Sequence, residues 1–259
     1  MSGLYSTIDH SSLLKFLFYP RLQHSKPPHG AFDLQIPVDD NVSIVCRAYQ
    51  GNENNPWILY FHGNGEVVSD YDGIAPLYTD RGLNLLVADY RGYGKSDGSP
   101  TFTDLVKDAG TILDYAYENV TKSNAYHDWF VMGRSLGSIS ALELAAGKSD
   151  RLIGMIVESG FISVTGLIRH LGLPSPGDLT ELENEKRRLA STVQLPTLVI
   201  HGENDRLVPL TQGRELYETL GSEQKEFVTI PRADHNDVMF VDSGKYIQAI
   251  AGFVQGNIF

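Results

Sequence analysis

The segment that most restricts the fold of this chain is Gly133-Arg134-Ser135-Leu136-Gly137, a G-x-S-x-G pattern. The apolar run Trp129–Met132 before it predicts a buried strand, and apolar residues at helical spacing follow it. A sharp strand-to-helix turn needs glycine on both sides of the serine, because side chains there would collide. Such a turn lifts the serine hydroxyl above the sheet and places the next amide beside it. We therefore predict Ser135 as a nucleophile and the Leu136 amide as an oxyanion donor.

Strand and helix patterns alternate along most of the chain. The predicted strands are Phe32–Val38, Val42–Tyr49, Trp57–Phe61, Leu83–Ala88, Trp129–Met132, Leu152–Val157, Thr197–Ile200 and Glu226–Ile230. The last six are mostly continuous apolar runs, which are typical of strands buried on both faces of a parallel sheet. The sequence therefore predicts an α/β fold, with a doubly wound, mostly parallel sheet of about eight strands.

The length of 259 residues suits a single domain over residues 1–259. Residues 1–30 are expected to form an N-terminal arm wrapped over that domain. Within the arm, Leu13–Tyr19 is apolar apart from Lys15 and too short to span a bilayer, so packing on the domain is favoured over membrane contact. Residues 161–195 are too long for a plain connection and predict a small helical lid inserted after the sixth strand.

Charge and composition restrict the partners. The formal net charge of -11 argues against nucleic acid and anionic membranes, because both would repel the chain. The N-terminus lacks a basic region followed by a long apolar run and a cleavage site. We therefore expect a cytoplasmic location and no stable membrane insertion. Cys46 is the only cysteine, so no intramolecular disulfide can form. The sequence leaves the oligomeric state open.

A serine hydroxyl needs a base that can take its proton. His235 lies in a polar loop just after the last predicted strand, where a parallel sheet gathers its site residues. His62 and His201 also end strands, but glycine follows each of them in a turn. The other five histidines have no strand-end context. His235 is therefore the predicted general base.

The imidazole in turn needs an acid that fixes its tautomer. Asp205 ends the turn after the Thr197–Ile200 strand. The resulting order along the chain is serine, acid, histidine, which is the order expected in a fold that carries its nucleophile on such a turn. Glu158 is a rival for this role, because it too ends a central strand.

A second oxyanion donor is expected from the turn after an earlier strand. His62-Gly63-Asn64-Gly65 follows Trp57–Phe61 directly, and its two glycines allow the backbone to approach a substrate closely. We predict the Asn64 amide as this donor and expect His62 to hold the turn by hydrogen bonds.

From about Val42 to Phe253 the chain resembles the α/β-hydrolase superfamily, particularly its serine-aminopeptidase-like branch of small serine hydrolases. The matching blocks are His62-Gly63-Asn64-Gly65, Asp89-Tyr90-Arg91-Gly92-Tyr93-Gly94-Lys95-Ser96, Gly133-Arg134-Ser135-Leu136-Gly137, His201-Gly202-Glu203-Asn204-Asp205 and Ala233-Asp234-His235. The resemblance implies the fold, the catalytic triad and a structural role for Asp89–Gly94. The branch includes esterases, thioesterases and a few peptidases, so the resemblance does not identify the substrate.

The expected activity is hydrolysis of an ester or thioester of a small, mostly apolar acyl substrate through an acyl-enzyme, without a metal ion or organic cofactor. Phe161, Ile162 and Leu167 could line an acyl pocket, although packing of the lid explains them equally well. One alternative is an aminopeptidase or amidase, in which Glu66 or Glu158 would hold a substrate amine. Another is a binding protein without catalytic activity on the same fold.

Overall fold

The structure, a computed structural model, describes residues 4–120 and 128–256. Its strands are β1 (Ala31–Asp39), β2 (Val42–Tyr49), β3 (Trp57–Phe61), β4 (Asn84–Ala88), β5 (Trp129–Arg134), β6 (Gly154–Glu158), β7 (Thr197–Gly202) and β8 (Lys225–Ile230). These eight strands form one open sheet in the order β1-β2-β4-β3-β5-β6-β7-β8. Each lies within about two residues of its predicted position.

Strands β3 to β8 run parallel to one another, whereas β1 pairs with β2 and β2 with β4 in antiparallel fashion. The carboxyl ends of the parallel strands therefore meet at one edge of the sheet, where the loops that follow them come together. The predicted doubly wound, mostly parallel sheet is confirmed.

Helices cover both faces of the sheet. They are α1 (Ser6–Asp9), α2 (Leu14–Leu17), α3 (Ala75–Thr79), α4 (Phe102–Asn119), α5 (Ser138–Gly147), α6 (Val164–His170), α7 (Thr180–Thr192), α8 (Leu210–Thr219), α9 (Val238–Val241) and α10 (Ser243–Val254). Buried residues of α4, α5, α7 and α8 belong to one hydrophobic core, and those of α3, α9 and α10 to a second. The sheet lies between the two cores.

The N-terminal arm, residues 4–30 of the described chain, lies against the first of these cores. Leu13 and Phe18 are buried in that core. The Asp9 carboxylate accepts hydrogen bonds from the first amides of α4, at Phe102 (2.8 Å) and Thr103 (3.1 Å). An acceptor at this position satisfies amides that the helix itself leaves unpaired. The arm is thus attached by both apolar packing and helix capping.

The segment 161–195, predicted as a lid, contains α6 and α7 and lies between β6 and β7. Its two helices have different surroundings. Leu167 and Ile168 of α6 border a cavity described below. Helix α7 instead packs on α5 and α8 and buries Leu182 and Ala190 in the first hydrophobic core. Only the α6 part therefore overlies the cavity.

Among the residues that the structure describes, no helix combines the length and the apolar character that crossing a membrane requires.

Candidate active site

The turn that carries Ser135 is sterically tight. Ser135 adopts φ +50°, in the left-handed region that costs energy for a residue other than glycine. A Cβ atom on Gly133 would lie 2.3 Å from the carbonyl oxygen of Gly137. A Cβ on Gly137 would lie 2.0 Å from the carbonyl oxygen of Phe61. The prediction that both glycines are needed to avoid collisions is therefore confirmed.

The structure brings Ser135, His235 and Asp205 together in one hydrogen-bonded series. His235 Nε2 lies 2.9 Å from Ser135 Oγ, and His235 Nδ1 lies 2.7 Å from Asp205 Oδ2. An ionised carboxylate can only accept, so Nδ1 carries the proton and donates it to Asp205. Nε2 is then free to accept from the serine hydroxyl. This arrangement can remove a proton from Ser135 as the hydroxyl attacks an electrophile.

Asp205 is held in its ionised form by its surroundings. Its Oδ1 accepts hydrogen bonds from the amides of Leu207 (3.0 Å) and Val208 (2.7 Å). Burial alone would raise the pKa of Asp205, but hydrogen bonds from His201 and His235 lower that pKa well below its usual range. The carboxylate can therefore orient His235 and stabilise its imidazolium form.

Glu158, the rival acid, has other partners. Its carboxylate accepts hydrogen bonds from Tyr246 (2.7 Å), Arg134 Nε (3.2 Å) and Tyr60 (3.4 Å). Only 1% of Glu158 is exposed. The geometry therefore favours Asp205 as the partner of His235.

Glu66 is also occupied by protein groups. Its carboxylate accepts from the Gly63 amide (2.8 Å), the Tyr71 hydroxyl (2.8 Å) and Arg134 Nη1. Burial alone would raise the pKa of Glu66, but the Arg134 guanidinium and His62 lower it. These contacts tie Glu66 to the turn after β3 and leave it poorly placed to hold a substrate amine.

The predicted oxyanion turn, residues 62–65, lies beside the nucleophile turn, because Phe61 at the end of β3 abuts Gly137. His62 Nε2 lies 3.2 Å from Asp89 Oδ1, and Asp89 also accepts from the Val68 amide at 2.9 Å. His62 thus holds the turn through hydrogen bonds, as the sequence predicts. Asn64 and Leu136 both line the same cavity as Ser135. Their amides stay predicted oxyanion donors.

Ser135 and His235 border a cavity of about 430 Å³, a size typical of small-molecule sites. Most of its lining is apolar. The apolar lining residues are Ile8, Phe16, Leu17, Tyr19, Phe102, Leu136, Phe161, Val164, Leu167, Ile168, Leu171, Leu173, Leu207 and Val208. Among the described residues that line the cavity there is no aspartate or glutamate. The cavity therefore suits an apolar group, and its described lining offers no carboxylate to a cationic one.

Two of the three predicted substrate-binding residues, Phe161 and Leu167, line the cavity. Ile162, the third, is not among the lining residues, and packing, the alternative that the sequence left open, accounts for its position. Its side chain has no exposed surface and belongs to the hydrophobic core on the α4 and α5 face. Ile162 therefore stabilises the domain, and the cavity wall next to it is provided by Phe161.

The sequence interpretation missed the contribution of the N-terminal arm. Ile8, Phe16, Leu17 and Tyr19 form part of the cavity wall. The Asn64 side chain ties this wall to the oxyanion turn, since its Nδ2 donates to Leu17 O (3.0 Å) and its Oδ1 accepts from the Tyr19 amide (2.9 Å). The only signal in the sequence was the apolar run 13–19, which does not reveal its partner.

The strand order and the turn that carries Ser135 define an α/β-hydrolase. The family model described as serine aminopeptidase, S33, matches residues 52–176 and 175–239. The chain belongs to this family.

Relatives and solved structures extend the likeness beyond the motifs. Protein bem46 of Schizosaccharomyces pombe is 34% identical over 233 residues, which cover 86% of this chain and 76% of that protein. The uncharacterized membrane protein YNL320W of Saccharomyces cerevisiae is 31% identical over 218 residues, which cover 81% of this chain and 75% of that protein. The structure of the Pyrococcus furiosus esterase Pf2001 superposes with a TM-score of 0.75 at 19% identity, covering 92% and 98%. The structure of Est1E of Butyrivibrio proteoclasticus with bound ferulic acid superposes with a TM-score of 0.71 at 20% identity, covering 87% of this chain and 99% of that chain.

Proposed function

We propose that the protein is a serine hydrolase that cleaves an ester or thioester of a small, mostly apolar acyl substrate. The observation that carries the proposal is the hydrogen-bonded series Ser135, His235 and Asp205 at the border of an apolar cavity. The series supplies an activated nucleophile, and the cavity supplies a dry surface for an acyl group. One of the similar solved structures, Pf2001, is named an esterase, which agrees with the choice of an ester as substrate.

The reaction proceeds in two halves. Ser135 Oγ attacks the carbonyl carbon while His235 Nε2 takes its proton, and the Leu136 and Asn64 amides hold the resulting oxyanion. The intermediate collapses to an acyl-serine, and His235 returns the proton to the departing alcohol or thiol. Water then attacks the acyl-serine with His235 again as the base, and the free acid leaves. Each step uses only groups of this chain, water and the substrate.

An aminopeptidase with the same nucleophile is the second candidate, since the matching family model carries that name. A peptidase of this kind would need a carboxylate to hold the amine of its substrate. Glu66 and Glu158, which could have served, are both hydrogen-bonded to Arg134. The lack of any acidic residue among the described cavity-lining residues supports the ester over the aminoacyl amide.

We expect kcat/KM for p-nitrophenyl esters of short and medium fatty acids to exceed that for aminoacyl p-nitroanilides by at least about 100-fold. An ammonium group placed in an apolar cavity without a counter-charge costs several kcal/mol, and 1.4 kcal/mol is a factor of ten. Steady-state kinetics with both panels measure the ratio, and the Ser135→Ala protein provides the background. An anilide that reacts faster than every ester would support the peptidase instead.

The part of the cavity wall that the N-terminal arm forms is expected to influence which acyl-chain lengths the protein accepts. Replacing Leu17 with tryptophan fills part of the cavity, and the loss of one or two methylenes of space costs roughly 1–3 kcal/mol. We expect kcat/KM to fall about 10-fold or more for the longest accepted acyl chain and to change little for acetate. Leu14→Trp is the matched control, because Leu14 is half-buried in the same helix but does not line the cavity. Equal chain-length profiles for the two variants would exclude the arm from the acyl site.

A further inference from the structure

Arg134, the residue before the nucleophile, makes an unusual set of hydrogen bonds. Only 7% of it is exposed. Its Nη2 donates to the backbone carbonyl of His235 (2.9 Å) and to Asn236 Oδ1 (3.1 Å). Its Nε donates to Glu158 (3.2 Å), and its Nη1 donates to Glu66. One guanidinium therefore joins three separate parts of the chain.

Each partner of Arg134 is connected to a different part of the site. The His235 carbonyl belongs to the loop that presents the imidazole. Glu66 accepts from the Gly63 amide and so holds the predicted oxyanion turn. Glu158 ends β6 and is fixed by the hydroxyl of Tyr246. The guanidinium thus spans the base, the oxyanion turn and the sheet.

Close packing and charge keep this arrangement rigid. A Cβ atom on Gly63 would lie 2.2 Å from Arg134 Nη1, so the oxyanion turn rests directly on the guanidinium. Burial alone would lower the pKa of Arg134, but Glu66 and Glu158 raise it. The side chain therefore stays charged at all physiological pH values.

We propose that Arg134 is a positioning residue that fixes the His235 backbone and the Gly63-Asn64 turn at set places relative to Ser135. The proposal rests on the proposed function of Ser135 as nucleophile. Arginine suits the role because its planar fork carries five donors, whereas lysine offers a single point charge on a flexible stem. Misplacement of reacting groups by about 1 Å can cost about 10²-fold in rate.

The test compares Arg134→Gln and Arg134→Lys with the unaltered protein. We expect Arg134→Gln to lower kcat by about 10²-fold and to leave KM within a few-fold, because Arg134 borders the cavity but the apolar residues that make up most of its lining are unchanged. The rate of labelling of Ser135 by a fluorophosphonate should fall in parallel, since labelling also needs the base in place. Arg134→Lys should recover part of both rates, because it keeps the charge and one or two of the bonds.

Arg47→Gln is the matched control for a merely structural effect. Arg47 is a buried arginine on β2. It forms ion pairs with Asp33 (2.7 Å) and Asp72 (2.9 Å) and contacts none of the triad residues. We expect this variant to lose thermal stability while its folded fraction keeps the kcat and labelling rate of the unaltered protein. Circular dichroism at the assay temperature shows that each compared protein is folded. Should Arg134→Gln not fold, Arg134→Lys and Asn236→Ala provide the same comparison, with smaller expected losses.

The outcomes separate this proposal from the proposed function. If the unaltered protein is labelled on Ser135 but folded Arg134 variants are labelled and turn over at its rate, the positioning role is wrong and the hydrolase stands. A loss in Arg134→Gln that Arg47→Gln reproduces per folded molecule would also overturn the role. If the unaltered protein is not labelled at all, the hydrolase fails, and the role of Arg134 fails with it.

Discussion

Ser135→Ala is expected to abolish labelling by a fluorophosphonate probe and to lower kcat by about 10⁶-fold, as loss of a serine nucleophile does in other hydrolases. The expectation follows from the 2.9 Å contact between Ser135 Oγ and His235 Nε2. Within the part of the chain that the structure describes, no other hydroxyl is hydrogen-bonded to this imidazole. Labelling is measured by mass spectrometry of the intact protein and its peptides, and turnover by ester hydrolysis.

Ser140→Ala is the control for this experiment. Ser140 is fully buried on α5, close in sequence to Ser135, and its hydroxyl donates to the Leu105 carbonyl (3.4 Å). We expect its labelling and kcat to match those of the unaltered protein. Undiminished labelling of Ser135→Ala would mean that another residue is the nucleophile.

Asp205→Asn is expected to lower kcat by about 10⁴-fold, the typical loss when the orienting acid of a triad is replaced by its amide. In the variant the amide oxygen can still accept from the Leu207 and Val208 amides, so the NH₂ group would face His235 Nδ1. That group donates, and it would therefore favour the imidazole tautomer with the proton on Nε2. A base protonated on Nε2 cannot take the proton of Ser135.

Glu158→Gln is the comparison that decides between the two acids. Glutamine can still accept from Tyr246 but loses its charge beside Arg134, so we expect lower stability and a loss in kcat far smaller than for Asp205→Asn. Steady-state kinetics on both folded variants give the ranking. The opposite ranking would assign the orienting acid to Glu158 and leave Asp205 as a residue that shapes its loop.

Local patterns in the sequence were sufficient to predict much of the fold and of the site. The glycines around Ser135 reflect a steric requirement within five residues, and the structure shows the collisions that they avoid. His235 and Asp205 were identifiable because loops at the carboxyl ends of parallel strands meet at one edge. In both cases the physical cause acts over a short stretch or follows from the sheet itself.

Contacts between distant segments were not predictable in this way. Nothing in the residues around Phe16 or Leu17 indicates that they would border a cavity beside Ser135. The partners of Arg134 lie 24, 68 and 101 positions away in the chain, and no spacing rule connects them. Phe161 and Ile162 are neighbours of similar hydrophobicity, yet only Phe161 lines the cavity and Ile162 packs in the core. Tertiary packing, which the local sequence does not reveal, determines this difference.

The attachment of the N-terminal arm has a consequence for synthesis on the ribosome. The arm emerges before every group that holds it, since Tyr5 binds Glu143 and Lys186 and the arm backbone binds Asn64. These contacts of Tyr5 therefore cannot form until Glu143 and Lys186 have been translated. His235 emerges later still. A nascent chain that ends between Ser135 and His235 therefore carries the serine without its proposed base.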